Sequence, residues 1–297
     1  MSTSSANSSD GDSHLRGILL MCSAGFCFAV MDAGVKHLTV DYPVPQVIWA
    51  RYTFHFLLML LFLGPQHRMS LLHTSRLRTQ LMRSLLLFGA TVNMFFALKY
   101  IPLAEAATIG FANPLVVTAL SVPILGETVG GRRWAAVLIG FAGVLVVLRP
   151  GFGVMHWAAV LPLGMAFCYA IYQILTRLLA GKDNPRTILF YTALVGTVIS
   201  SFAMPFVWTP PTLEVWLLMV AIGAIAGIGH YALIKAFEMT PASVLAPFGY
   251  IALIWVILAG FIAFGDLPDQ WTVSGAIIIV GSGLYIVHRE RRRRAAG

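Results

Sequence analysis

Residues 102–127, PLAEAATIGFANPLVVTALSVPILGE, return later in the chain as residues 241–266, PASVLAPFGYIALIWVILAGFIAFGD. Laying one on the other keeps Ala97 on Ala236, Pro102 on Pro241, Gly110 on Gly249, Gly126 on Gly265 and Glu127 on Asp266. Each copy is an apolar run long enough to cross a bilayer, opened by a proline and closed by glycine and a carboxylate. A second echo lies near the start of each half: Phe26-Cys27-Phe28-Ala29 matches Phe167-Cys168-Tyr169-Ala170, and Lys36 then falls on Arg177. The chain is one unit used twice.

The flanking sequence has the same character. Hydrophobic residues make up 58% of the 297 residues and charged ones 11%, with mean hydropathy +0.82. A soluble domain carries about a quarter charged residues. Apolar runs of about twenty residues recur along the chain, continuous rather than alternating, which predicts helices and not barrel strands. The fold class is therefore all-α: a polytopic membrane protein with ten spans in a five-plus-five repeat. The spans are expected at residues 16–37, 45–64, 83–101, 103–125, 134–149, 157–180, 187–208, 214–238, 242–264 and 271–288. They divide into a first repeat over 16–149 and a second over 157–288. Residues 1–15 are too polar to bury and predict a disordered tail, and the basic residues 289–297 a second tail. No cleavable signal peptide is expected, because the first apolar run is long and no small-x-small site follows it. Cys22, Cys27 and Cys168 sit inside apolar runs without metal or redox spacing and read as packing residues.

The net charge of +8 invites a nucleic-acid reading, but its distribution argues for membrane orientation. With a cytoplasmic N-terminus, fifteen lysines and arginines fall on the cytoplasmic side, among them Arg76, Arg78, Arg83, Arg132, Arg133 and the group at 289–294. Three, Lys36, Lys99 and Arg149, fall outside, and Arg51 and Arg177 lie within spans. Both termini are expected to be cytoplasmic, in the plasma (inner) membrane. Because each half crosses an odd number of times, the second half enters the membrane in the opposite sense, which makes the repeat inverted.

Phosphate loops, nucleophile elbows, HExxH and CxxC pairs are absent, so no ATP-driven, hydrolytic or metal chemistry is expected, and no cofactor. At this point the sequence resembles the drug/metabolite transporter superfamily, in its ten-span EamA-type branch. The residues that carry the resemblance are Ala97-Leu98-Lys99-Tyr100-Ile101-Pro102-Leu103-Ala104-Glu105-Ala106, then Gly126-Glu127, Arg133-Trp134 and Gly140-Phe141-Ala142-Gly143, each with a looser counterpart later. The resemblance implies an alternating-access carrier, many of whose kind export amino acids or other small metabolites. It also implies that spans one to four and six to nine surround the cavity while the fifth and tenth lie outside. Asn113-Pro114 and Ala246-Pro247-Phe248 also resemble branches that import cofactors or nucleosides.

Candidate site residues are the polar and aromatic groups near mid-depth. Asp32 shares a stripe with Phe28 and Lys36 in the first span; the equivalent stripe of the sixth is Tyr169, Gln173 and Arg177, with Tyr172 beside it. This fits two cavity walls; the alternative for Asp32 is an ion pair with Lys36 one turn on. Arg51 lies near the middle of the second span, where a cation costs roughly 2.5–3.5 kcal/mol to insert, so it needs a partner. That partner is either a substrate carboxylate held by the guanidinium fork or a structural one, Asp32 or helix carbonyls. His55, one turn from Arg51, reads as a cavity residue or a satisfied core histidine. Asn93, Asn113 and the pair His230-Tyr231 fall at similar depth, and Pro114 and Pro247 each free a backbone carbonyl, of Gly110 and Ser243, for a ligand or for packing alone. Glu105 in the first turn after Pro102 reads as a helix-end charge, and Glu127 and Asp266 as loop-fixing groups. The expected function is an alternating-access transporter of small metabolites, with export of amino acids ahead of cofactor or nucleoside import. A scaffold or receptor, a channel and an intramembrane enzyme are the rival classes. The expected partners are the small-molecule substrate and the lipid bilayer, not nucleic acid, for a monomer or weak homodimer.

Overall fold

Proline and glycine decide where the apolar runs break. The computed structural model describes residues 4–67, 73–74, 76–126, 129–150, 155–179, 183–240 and 242–295, and among them there is no strand. The first half consists of α1 (Ser4–Leu38), α2 (Val44–His67), α3 (Leu77–Tyr100), a fourth span split into α4 (Leu103–Gly110) and α5 (Asn113–Leu125), and α6 (Gly131–Leu148). The second repeats the order with α7 (Leu161–Leu179), α8 (Pro185–Ser201) and the short α9 (Met204–Val207), α10 (Leu213–Met239), the split α11 (Ala242–Gly249) and α12 (Ile251–Phe264), and α13 (Gln270–Ala295). Among the described residues, nine helical segments are long and apolar enough to cross a bilayer, and α8 adds the shorter apolar stretch Arg186–Ser201. The seventh span is thus shorter than the expected 187–208: the helix ends at Phe202, and Pro205 opens a separate turn. The helix bounds of α1 include residues 4–14.

The two splits occupy equivalent places. In the first half the chain tightens at Phe111-Ala112, with Ala112 N–H bonded to Ile109 O at 3.0 Å, because Pro114 cannot donate to Gly110. In the second, Tyr250 takes the corresponding place, three residues after Pro247, and its N–H reaches Pro247 O at 3.4 Å. The rings of Phe111 and Tyr250 lie 5.6 Å apart, so the two breaks face each other.

Eight walls close into a ring: α1, α10, α2, α8, α3, α7, the α4/α5 pair and α12 each pack on the next, and α12 returns to α1. Exchanging the halves maps this order onto itself. The α1–α10 contact becomes α7–α3, α2–α10 becomes α8–α3, and α1–α12 becomes α7–α5, while α2–α8 maps onto itself. This is the pseudo-two-fold of an inverted repeat. Outside the ring, α6 and α13 pack on one another along a glycine seam: a Cβ on Gly275 would stand 2.7 Å from the carbonyl oxygen of Gly143. Arg149, in the left-handed conformation that ends α6, pairs with Asp269 just before α13 at 2.8 Å.

The symmetry is broken in one respect. Within the first half, α3 leans across the ring to pack against α1 and α2; α10 makes no comparable packing with α7 and α8 among the described residues. Met219, Ala226, His230 and Phe237 share one face of α10 by their spacing. Along it exposure rises from 0% at Met219 and Ala226 to 49% at Phe237.

Candidate functional site

The polar groups of the ring interior gather around Arg51 of α2. Its side chain is buried, Nη1 donates to Thr91 Oγ1 of α3 at 3.2 Å, and Nε has no partner. The guanidinium lies 4.6 Å from the centre of the Tyr52 ring and 5.8 Å from that of Phe95, two faces that favour a cation. Its charge reaches Asp32 on α1, His55 on α2, Tyr169 on α7 and His230 on α10. Neither expected structural pairing of Asp32 is found: among the described residues it forms no ion pair with Arg51 or with Lys36. Lys36 turns instead to the end of α3, where its Nζ donates to the carbonyl of Ile101 at 2.8 Å and approaches that of Leu98 at 3.5 Å.

Glycines on α10 bring the aromatic part of the site together. A Cβ on Gly227 would lie 3.1 Å from His55 Cδ2, one on Gly223 3.0 Å from His55 N, and one on Gly229 3.0 Å from Phe28 Cε1. With those spaces empty, Phe28 meets His230 edge to face at 4.9 Å, and His230 faces His55 at 6.0 Å. His230 Nδ1 bonds the carbonyl of Ala226 at 3.0 Å, and the buried Nε2 of His55 has no partner. On the opposite wall Tyr169 and Tyr172 stack at 5.3 Å with planes 17° apart, and Gln173 lies beside Tyr169.

The remaining expected residues stand apart from this set. Asn93 donates to the carbonyl of Gly89 in its own helix at 2.9 Å and packs against Gly164 of α7. Asn113 donates across to Ala166 O at 3.1 Å and so fastens α5 to α7. Pro114 and Pro247 flank the two helix breaks. Tyr231 is 54% exposed, off the face that carries His230, with Lys235 Nζ 6.0 Å over its ring. The side chain of Arg177 and the residue Glu127 lie outside the described residues. An apolar groove of about 430 Å³ between α12 and α13, lined by Leu253, Ile257, Ile277 and Leu284 among others, opens on the outer surface and lacks converging polar groups.

Sequence reasoning missed Arg83, which it placed among the loop cations. Arg83 is inside α3 and 0% exposed. Nη1 donates to Tyr172 Oη at 3.4 Å and Thr176 Oγ1 at 3.3 Å, and Nη2 to Ile188 O at 2.7 Å and to Thr192 Oγ1. Its guanidinium lies 4.9 Å from the Tyr172 ring centre, so the same cation supports the tyrosine stack from behind. One turn earlier, Gln80 donates to Asp183 Oδ2 at 2.8 Å.

These elements agree with a comparison of the whole chain. The model of the EamA-like transporter family matches twice, over residues 15–149 and 156–287. The chain belongs to this family. Among its EamA-like relatives, the riboflavin transporter of Vibrio cholerae serotype O1 is 30% identical over 283 residues, covering 94% of this chain and 95% of that one. The S-adenosylmethionine uptake transporter of Rickettsia prowazekii is 29% identical over 280 residues, covering 94% and 95%. The pseudopaline exporter CntI of Pseudomonas aeruginosa is 28% identical over 271 residues, covering 89% and 93%. A solved crystal structure shares the fold at TM-score 0.62 and 20% identity, covering 98% of this chain and 99% of that one. The chain is accordingly a multi-pass membrane transporter, and its family spans both uptake and export.

Proposed function

We propose that this EamA-like transporter is an alternating-access carrier that exports amino acids, holding the substrate carboxylate against Arg51 inside the ring. The observation that carries the reading is a buried guanidinium with one neutral hydrogen-bond partner, an unpartnered Nε and no carboxylate within ion-pair reach among the described residues. Such a cation is costly in a membrane interior unless an anion visits it, and its planar fork matches a carboxylate. Phe28, Asp32, His55, Tyr169, Tyr172, Gln173 and His230 form the surrounding walls, with Asp32 available to a substrate ammonium. Asn93, Asn113, Pro114 and Pro247 shape the helices behind them. We place both termini on the cytoplasmic face of the plasma (inner) membrane, from the fifteen-to-three distribution of lysine and arginine. The partners are the substrate and the lipid bilayer, with no nucleic acid, for a monomer or weak homodimer. The reading involves no covalent step and no cofactor.

Uptake of a larger metabolite is the second reading, favoured by two relatives named for riboflavin and S-adenosylmethionine and by the facing tyrosine stack. One experiment separates them: flux of labelled amino acids, riboflavin and S-adenosylmethionine in proteoliposomes, with and without a pH gradient. The export reading expects amino-acid flux that runs down the substrate's own gradient. Flux of the vitamin or nucleoside alone overturns it, and a steep proton drive abolished by Asp32→Asn overturns the facilitated mechanism.

A further inference from the structure

We infer that Lys36 is the latch that holds one end of the ring closed, and that its release converts this structure into the state open at that end. The need for a latch begins with Pro102. The carbonyl of Leu98 would accept from the residue four places on, and proline has no N–H to give. The helix ends there, with Ile101 in extended conformation, leaving negative helix-end carbonyls at the mouth of the ring. Lys36, in the last turn of α1, supplies the missing donor, at 2.8 Å to Ile101 O and 3.5 Å to Leu98 O. The same Nζ lies 5.5 Å over the ring of Phe264 at the end of α12. Glu105 and Asp266 are the acids whose charges reach it. One ammonium therefore gathers the ends of α1, α3 and α12.

Other contacts at this end are of a different kind. Gln46 exchanges two hydrogen bonds with Thr209, at 2.8 and 2.9 Å, and Trp49 packs on Trp208 and Trp216 at 5.6 and 6.4 Å. They join α2 to the start of α10 and the segment before it, which are neighbours in the ring. The Lys36 contact runs across the ring, between α1 and α3, which is the packing that the second half lacks. The α10 face has the matching gradient: Met219 is sealed at the Lys36 end, while Phe237 is 49% exposed at the far end. The latched end is closed and the opposite end open.

The test needs no substrate, so its failure leaves the transport reading untouched. In a background with Cys22, Cys27 and Cys168 replaced by alanine, Met219→Cys and Phe237→Cys are labelled separately with a charged, lipid-insoluble maleimide. With Lys36 present, the cysteine at 237 reacts fast and the one at 219 slowly. Lys36→Met should speed labelling at 219 and slow it at 237, changing the ratio of the two rates by about ten- to a hundredfold, because losing a charge-assisted bond shifts a two-state equilibrium by one to two decades. Lys36→Arg, which keeps the donor, should retain the original pattern. Pro102→Ala gives Leu98 O its own backbone donor and should move both rates in the same direction by less; it also decides the matter if Lys36→Met does not fold. Rates within twofold of the starting pattern in Lys36→Met, or in Pro102→Ala where it stands in, overturn the proposal.

Discussion

Arg51 and Arg83 are both buried arginines of the first half, yet their neighbours assign them different tasks. Arg83 has acceptors on two nitrogens from α7 and α8 and leaves only Nε unpaired, so it is a fastener. Arg83→Lys should lower unfolding stability by about 1.5–3 kcal/mol, since a point charge replaces a planar fork; a melting curve in detergent checks it. Arg51 has one side-chain acceptor among the described residues, and its proposed task is to hold the substrate carboxylate. Arg51→Lys should weaken flux of carboxylate-bearing substrates about ten- to a hundredfold in affinity and leave decarboxylated analogues unchanged. Because no ion pair joins Arg51 to Asp32, the double variant Arg51→Ala with Asp32→Asn should melt no higher than Arg51→Ala alone; recovery of stability would restore the structural pairing. Arg51 was legible in the sequence because it interrupts a long apolar run. Arg83 was not, since the polar residues 73–80 before it look like loop, and only the folded contacts to Thr176 and Thr192 put it indoors.

The supports outside the ring are held by a surface ion pair and a glycine seam. Partial burial acts to raise the Asp269 carboxyl, but hydrogen bonds from Thr272, whose N–H lies at 2.8 Å, and the Arg149 charge hold it below its ordinary 3.8. A depressed carboxylate contributes stability that is full above 3.8 and disappears as the pH falls through the lower folded value. Asp269→Ala should therefore cost about 1 kcal/mol at neutral pH, mostly the cap, since the exposed pair is screened. The acid-side loss of stability seen in the parent should shrink in that variant. The α6–α13 seam is less forgiving: Gly275→Leu should destabilise by about 1–3 kcal/mol or more through overpacking, visible as a lower melting temperature. The echo of residues 102–127 in 241–266 made the split spans legible as disturbed helices. The prolines alone do not give the place of the second break, which comes at Tyr250, three residues past Pro247 and in register with Phe111. Proline marks a lost hydrogen bond, and where the two chains turn the rings of Phe111 and Tyr250 lie 5.6 Å apart.

For the whole molecule, the repeat in the sequence and the ring in the structure are one fact, because five crossings force the second half to enter inverted. Under the proposed cytoplasmic placement of both termini, single cysteines at 70, 130 and 184 should all label from the cytoplasmic side, and labelling from outside intact cells would reverse the placement. The asymmetry between the α3 and α10 sides was invisible in the sequence, since the two repeats carry the same pattern, and it lies in the packing of α3 against α1 and α2. An alternating-access carrier exposes the groups around Arg51 to one side at a time. Counterflow in proteoliposomes tests it most directly, using the labelled amino acid for which flux is found. Unlabelled amino acid added outside should accelerate efflux of the labelled pool several-fold over buffer, because a carrier returns faster loaded than empty. Efflux that is indifferent to external substrate, or no greater than from protein-free vesicles, would rule out an alternating-access carrier.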